Sequence, residues 1–148
     1  MNRFVSLLIS VVCAAISLLA FPDRAAAEAR PYSSEGTAQF VSPTDFVGAG
    51  LAAHLGLYSE AGSVSFSPTS NPAVLHVDGS VVYTAANGDE LHAVITGELN
   101  GLTGAITATV SYVGGTGRFA DASGSASLAG QLRPNGTISV TVRGTIDY

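Results

Sequence analysis

Residues 114–130 read GGTGRFADASGSASLAG, and this stretch decides between a nucleotide-binding fold and an all-β fold. Its first part, residues 115–120, fits the G-x-G-x-x-[G/A] pattern of a dinucleotide-binding loop. Such a loop requires a helix to begin there, because the free N–H groups of the first helical turn bind the pyrophosphate. Residues 121–130 instead alternate between small and polar side chains, a pattern that predicts a strand. We therefore expect a strand, a turn and a second strand here, and no bound phosphate.

The glycines of this stretch have a conformational role in that interpretation. Gly114, Gly115 and Gly117 permit positive φ, so we expect them to turn one long strand sharply into the next. Arg118 is expected to stabilise the turn by pairing with Asp121, in preference to binding an anion.

The same two-residue alternation recurs through the chain after residue 30. In residues 137–148, TISVTVRGTIDY, apolar residues take the even positions and polar residues the odd ones, as in a strand with one solvated face. Clear alternation of this kind predicts five strands, at 73–86, 89–99, 102–113, 119–132 and 136–148. Weaker patterns predict three more strands, at 36–42, 46–57 and 61–67.

Asn87-Gly88 is the strongest hairpin signal in the sequence, since it lies between two alternating runs. The apolar residues are odd-numbered on both sides of it, as at Leu75 and Leu99. Odd positions face odd positions only across a loop with an odd residue count. We therefore predict a three-residue loop with a bulge around Asn87-Gly88.

Eight consecutive strands joined by short turns favour an all-β fold, an eight-stranded antiparallel up-and-down barrel of the calycin-like type, because closure removes the edges of the sheet. A β-sandwich is the alternative. The interior of an eight-stranded barrel is filled by side chains or holds one small ligand. We predict that the apolar faces point inward, including the odd-numbered face of 46–57 with Val47, Ala49, Leu51, Ala53, Leu55 and Leu57.

With these faces inside, three tyrosines are the only polar side chains that the last five strands contribute to the interior. Tyr83, Tyr112 and Tyr148 are therefore candidate ligand contacts, with packing in the core as the alternative. General acid–base catalysis requires a titratable group at the reacting centre, and the pattern places no carboxylate or imidazole inside. The sequence thus identifies no catalytic residue.

His76, Asp78, His92 and Glu98 lie on the polar face of one predicted hairpin, with Glu98 opposite His76 or Asp78. Imidazoles and carboxylates are ligands that a divalent metal uses, but the two histidines lie far apart along the ladder. We interpret these residues as surface groups and ion pairs, and we predict neither a metal nor a cofactor. His54 is interpreted as a surface or rim residue.

Residues 1–27 have the pattern of a secretory signal peptide, with a positive start, an apolar stretch and small residues before the cleavage site. Cleavage is predicted after Ala27 or, alternatively, after Ala29, and an uncleaved membrane anchor is the competing interpretation. The expected product is one domain, residues 28–148, in a secreted or periplasmic location. Cys13 leaves with the signal, so the domain is expected to have no disulfide.

Residues 28–148 contain four arginines, no lysine and ten acidic residues, which leaves a net charge of −6. Phosphate backbones and anionic lipid surfaces repel such a protein. We therefore expect no nucleic-acid partner and, after removal of the signal, no membrane partner.

Residues 112–124, YVGGTGRFADASG, resemble the GGTGRF segment of plant dirigent proteins and, more loosely, the corresponding segment of allene oxide cyclases. Small bacterial secreted proteins of this β-barrel superfamily share three further features: HLG at 54–56, YTAANGD at 83–89 and the closing GTIDY at 144–148. The resemblance covers residues 36–148 and implies an eight-stranded antiparallel barrel with an apolar cavity, often assembled as a trimer. Dirigents steer the coupling of phenolic radicals, and allene oxide cyclases isomerise oxylipins. The functional acids of neither family can be placed on this chain, so the resemblance transfers no catalytic residue.

These patterns together predict a secreted β-barrel protein that binds a small apolar molecule. The sequence leaves two alternatives open. One is an isomerase or a dirigent-like guide of cyclisation or coupling. The other is a structural or adhesive oligomer that associates through its Ser/Thr-rich outer face.

Overall fold

A computed structural model describes residues 28–148, which fold into a closed antiparallel barrel of eight strands. The predicted signal segment, residues 1–27, lies outside the described residues. Each strand pairs with the next one along the chain, and β8 pairs with β1, so the predicted up-and-down barrel is confirmed in preference to the sandwich. Among the described residues, no helix has the length and hydropathy that a membrane span needs. The strands are β1 (Arg30–Phe40), β2 (Asp45–Ala52), β3 (Gly56–Pro68), β4 (Val74–Ala85), β5 (Glu90–Asn100), β6 (Ala105–Gly115), β7 (Ser123–Leu132) and β8 (Thr137–Asp147).

The β4–β5 hairpin has the predicted three-residue loop, residues 86–88. The N–H of Ala85 donates to the carbonyl of Asp89 over 2.8 Å, and odd-numbered positions of β4 pair with odd-numbered positions of β5. Gly88 has a φ of +89°, the left-handed conformation typical of the bulge in such a loop. The odd-numbered apolar residues of both strands therefore face the interior, as the alternation indicated.

The interior face of β2 is the opposite of the predicted one. Val47, Leu51 and Leu57 point outward and are 46%, 61% and 72% exposed. β2 turns its even-numbered residues inward instead, and two of these are glycines, Gly48 and Gly50. The prediction that the odd-numbered face of 46–57 lies inside is therefore wrong for Val47, Leu51 and Leu57 and correct for Leu55, which is 2% exposed.

Large side chains of β3 explain this reversal. A Cβ on Gly48 would lie 2.5 Å from Glu60 Oε1, and a Cβ on Gly50 would lie 2.6 Å from the hydroxyl oxygen of Tyr58. Both distances are far below van der Waals contact, so β2 carries glycine where Glu60 and Tyr58 cross it. The interior beside Gly48 and Gly50 is filled from β3, which leaves Val47 and Leu51 of β2 on the outside.

Turns lie at three places where the sequence predicted strand, and one of them is residues 119–122, since β7 begins at Ser123. β2 ends at Ala52, five residues earlier than predicted, and His54 in the following turn has a φ of +71°. β6 begins at Ala105, which leaves Leu102 in a turn and 83% exposed. The side chain of Asn100 accepts a hydrogen bond from the N–H of Leu102 at 3.0 Å and so fixes this turn.

The glycine-rich stretch joins β6 to β7 and contains one short 3-10 turn, Gly117–Phe119, where a dinucleotide loop would begin an α-helix. Gly114 and Gly117 have φ of +108° and +55°, as predicted. The prediction of positive φ is wrong for Gly115, where a Cβ would instead collide with the carbonyl oxygen of Glu90 on β5. The stretch therefore turns the chain, and it lacks the helix that phosphate binding requires.

Arg118 connects this turn to two neighbouring loops. Its backbone N–H donates to Asp89 Oδ2 at 3.4 Å, and its Nε lies 3.8 Å from the same oxygen. Its guanidinium also donates to the carbonyl of His54. The pairing predicted with Asp121 stays a prediction. These contacts tie the β2–β3, β4–β5 and β6–β7 connections together at one end of the barrel.

Apolar side chains close this end of the barrel. Phe119 and Ile146 are fully buried, and Leu55 is nearly so. The ring of Phe119 lies 5.0 Å from the ring of Tyr148, and the hydroxyl of Tyr148 lies 3.1 Å from Nδ1 of the half-buried His54. The barrel is therefore filled at the end that carries Arg30 and Tyr148, and the space inside it lies toward the other end.

Candidate functional site

The other end of the barrel encloses a cavity of about 80 Å³. One buried water molecule needs roughly 10 to 15 Å³ of cavity volume, so this cavity has room for about six water-sized groups. Side chains from all eight strands form its wall, and most of them are hydrocarbon. They include Ala38, Phe46, Val64, Val77, Ile95, Leu99, Ala108, Leu128, Ile138, Val140 and Val142.

Partly exposed aromatic and aliphatic side chains form the mouth of this cavity. Phe66, near the end of β3, is 36% exposed, and its ring lies 6.2 Å from the ring of Phe40. Phe40, Ile106 and Leu132 are half-buried and line the cavity as well. The cavity is therefore bordered at this end by side chains that are partly exposed to solvent.

Among residues 28–148, Glu60 on β3 is the only charged residue that lines the cavity. It is 8% exposed, and its carboxyl has no hydrogen-bond or ion-pair partner among residues 28–148. Burial raises the pKa of Glu60 from 4.5 to about 7, because the apolar surroundings disfavour the charged form. The cavity thus contains a carboxyl that can gain or lose a proton near neutral pH.

Ser34, Tyr58 and Tyr83 complete the inner end of the cavity around Glu60. Tyr83 stands opposite Glu60 in the β3–β4 register, and the rings of Tyr58 and Tyr83 meet edge to face with centroids 5.5 Å apart. Burial raises the pKa of Tyr58 and of Tyr83, and the negative charge of Glu60 raises both further. The two phenols are therefore neutral near physiological pH.

A second pair of tyrosines, Tyr32 and Tyr112, lies between the polar residues around Glu60 and the closed end of the barrel. The centroids of their rings are 5.1 Å apart. Burial raises the pKa of Tyr32 to about 12 and also raises the pKa of Tyr112. Neither residue lines the cavity, but the pair separates the polar group from the closed end.

The three predicted ligand contacts fall in three different places. Tyr83 lines the cavity, and Tyr112 is buried behind it. Tyr148 lies at the closed end, next to His54 and Phe119. The structure thus brings one of the three to the cavity and places the other two outside its wall.

Sequence reasoning missed Glu60, Tyr58 and Ser34, and its statement that no carboxylate lies inside is wrong. A signal was present in residues 58–66, where Tyr, Glu, Val and Phe at even positions alternate with serine and alanine at odd ones. The predicted strand begins at residue 61, directly after Glu60, and so places the carboxyl in the preceding loop. In the structure, β3 begins at Gly56 and includes Glu60.

The histidines of the β4–β5 hairpin lie on the outer face of the barrel. Glu98 pairs with His76 in the register, and His76 Nε2 lies 3.0 Å from Asp78 Oδ2. His92 Nε2 lies 3.1 Å from Glu90 Oε2. Within the described part of the chain, no three His, Cys, Asp or Glu side chains are grouped as a metal site requires.

No protein-family model, no curated protein and no solved structure matches this chain. The function is therefore inferred from the geometry and chemistry of the cavity.

Proposed function

We propose that this protein binds a small, mostly apolar molecule inside its barrel. The ligand enters at the mouth formed by Phe40, Phe66, Ile106 and Leu132, and its polar group reaches Glu60. The observation that carries this proposal is an apolar cavity with one buried carboxyl in its wall.

Both features lower the stability of the ligand-free barrel. Side chains around a cavity lose packing contacts, and a buried carboxyl without a partner keeps the full desolvation cost of its charged form. Proteins retain features of this kind mainly at functional sites. A ligand that fills the space and bonds to Glu60 would offset both costs.

Location and family are inferred from sequence patterns. The pattern of residues 1–27 supports export to a secreted or periplasmic location. The motifs at 112–124 and 144–148 support membership of the allene oxide cyclase/dirigent-like superfamily, and the closed eight-stranded barrel is the fold that such membership implies. Assembly as a trimer is a further expectation, which light scattering of the purified protein measures.

Thermal unfolding of the purified protein with a panel of lipids, oxylipins and phenolics tests ligand binding. A ligand at 100 times its dissociation constant adds about 2.7 kcal/mol of stability, so at least one class should raise the melting temperature. Ala108→Leu places a larger side chain in the cavity wall and should abolish this rise. Ala129→Leu on the exposed outer face of β7 should preserve it. Unchanged melting with every compound would contradict the proposal.

An isomerase is the second candidate function, and Glu60 is the observation that favours it. A carboxyl whose pKa lies near 7 can act as a general acid or base at neutral pH, and this carboxyl faces an apolar cavity. A chiral cavity that guides a cyclisation or a coupling yields one enantiomer in excess, whereas a passive binding protein does not. Chiral chromatography distinguishes the isomerase from the passive binding protein. The products are formed from a reactive oxylipin or phenolic in the presence of the wild type or of Glu60→Gln. Racemic products with both proteins would exclude the isomerase.

A further inference from the structure

We propose that the ligand of this barrel carries a protonated amine, which pairs with the Glu60 carboxylate at the inner end of the cavity while the apolar part of the ligand extends toward the mouth. The amine class rests on the proposed function, because it presupposes that the cavity binds a ligand.

The charges of the protein point to a cationic partner for Glu60. Within the described part of the chain, it is the only charged residue that lines the cavity. The four arginines of residues 28–148 are all exposed, and the chain contains no lysine. Opposite charges attract most strongly where water is excluded. Because no arginine of residues 28–148 lines the cavity, a cation on the ligand is the group that would pair with the carboxylate.

Two aromatic rings beside the carboxyl also suit an ammonium group. Tyr58 and Tyr83 line the cavity together with Glu60. The face of a tyrosine ring attracts a cation, and the hydroxyls of Tyr58 and Ser34 offer acceptor oxygens for further N–H groups. A neutral hydroxyl on the ligand would leave the charge of the carboxylate unpaired, and a carboxylate on the ligand would be repelled.

Three tyrosines interact electrostatically with the Glu60 carboxyl: Tyr32 on β1, Tyr58 on β3 and Tyr83 on β4. Tyr112 on β6 packs against Tyr32, and β2 contributes Gly48. The other carboxylates and the imidazoles of these strands, such as Glu35 and Asp78, lie on the outer face. Burial raises the pKa of each phenol, so Glu60 alone among these interior groups titrates near neutral pH. Alkylamines stay protonated near neutral pH. Amine binding should therefore strengthen as the pH rises through the pKa of Glu60, by about 30-fold between pH 5.5 and pH 8.

Calorimetric titration of the purified protein with n-hexylamine and hexan-1-ol tests the amine class, because the two probes share one apolar chain and differ in the head group. At pH 8 we expect hexylamine to bind about tenfold more tightly than hexanol, since hydrogen bonds between charged groups are stronger than neutral ones. The preference should disappear in Glu60→Gln. It should persist in Glu35→Gln, because Glu35 is exposed on the outer face of β1.

Each remaining outcome of these titrations overturns a stated part of the inference. Equal affinity for the two probes, or an amine preference that survives in Glu60→Gln, overturns the amine class and leaves the cavity as a binding site. Binding of neither probe also overturns the amine class. If the compound panel then gives no thermal shift, the proposed function falls as well.

Discussion

Glutamine in place of Glu60 should stabilise the protein by about 3 kcal/mol at pH 8 and should change its stability little at pH 4. Burial raises the pKa of Glu60 from 4.5 to about 7 in the barrel. As the pH rises between these values, the unfolded chain loses a proton that the folded chain keeps, so the wild type loses stability over this window. Glutamine is neutral at every pH and has nearly the same shape, so the variant avoids this loss.

Denaturant unfolding at several pH values from 4 to 8 measures this effect as the difference in stability between the variant and the wild type. Glu35→Gln is the matched control, because Glu35 is exposed on β1 and its replacement should leave the pH profile close to that of the wild type. A Glu60→Gln variant no more stable than the wild type at pH 8 would show that the carboxyl is solvated or paired in the folded protein.

Alanine in place of Phe119 should destabilise the protein by about 3 to 5 kcal/mol and lower its melting temperature by roughly 10 °C or more. Phe119 is fully buried between β6 and β7, and its ring lies 5.0 Å from the ring of Tyr148 at the closed end of the barrel. Removal of the ring leaves a cavity that the neighbouring strands cannot fill, because the hydrogen bonds of the closed sheet hold them in place.

Phe66→Ala is the matched control for this variant, since it removes the same ring from the open end of the barrel. Phe66 is 36% exposed, so its replacement should cost about 1 kcal/mol or less. Thermal unfolding of the two variants measures the difference. Equal losses of stability would contradict the description of one end as closed and the other as open.

Much of the barrel could be predicted from the alternation of its side chains. In β4 to β8, apolar residues occupy one face and small or polar residues the other, so both the strands and their inward faces follow from the sequence. The loop at 86–88 could be predicted as well, because the odd-numbered apolar faces of β4 and β5 require an odd loop length.

The second and third strands required information that no single strand contains. β2 presents Gly48 and Gly50 inward, beneath the long side chains of β3, and its odd-numbered apolar residues Val47 and Leu51 lie outside. A hydropathy pattern describes one strand, whereas the packing of a barrel interior depends on side chains from several strands at once. The polar end of the cavity is built largely from β3, which is why the sequence identified Tyr83 and missed Glu60 and Tyr58.

Whether a small molecule binds inside the barrel beside Glu60 can be decided by NMR of the protein labelled at its Ile, Leu and Val methyl groups. Titration with n-hexylamine should shift the methyl resonances of Val64, Leu128 and Ile138, which line the cavity. The resonances of Leu51 and Leu57, which lie on the outer face, should stay in place. Shifts confined to the outer methyl groups, or no shift of either set, would contradict binding in the cavity.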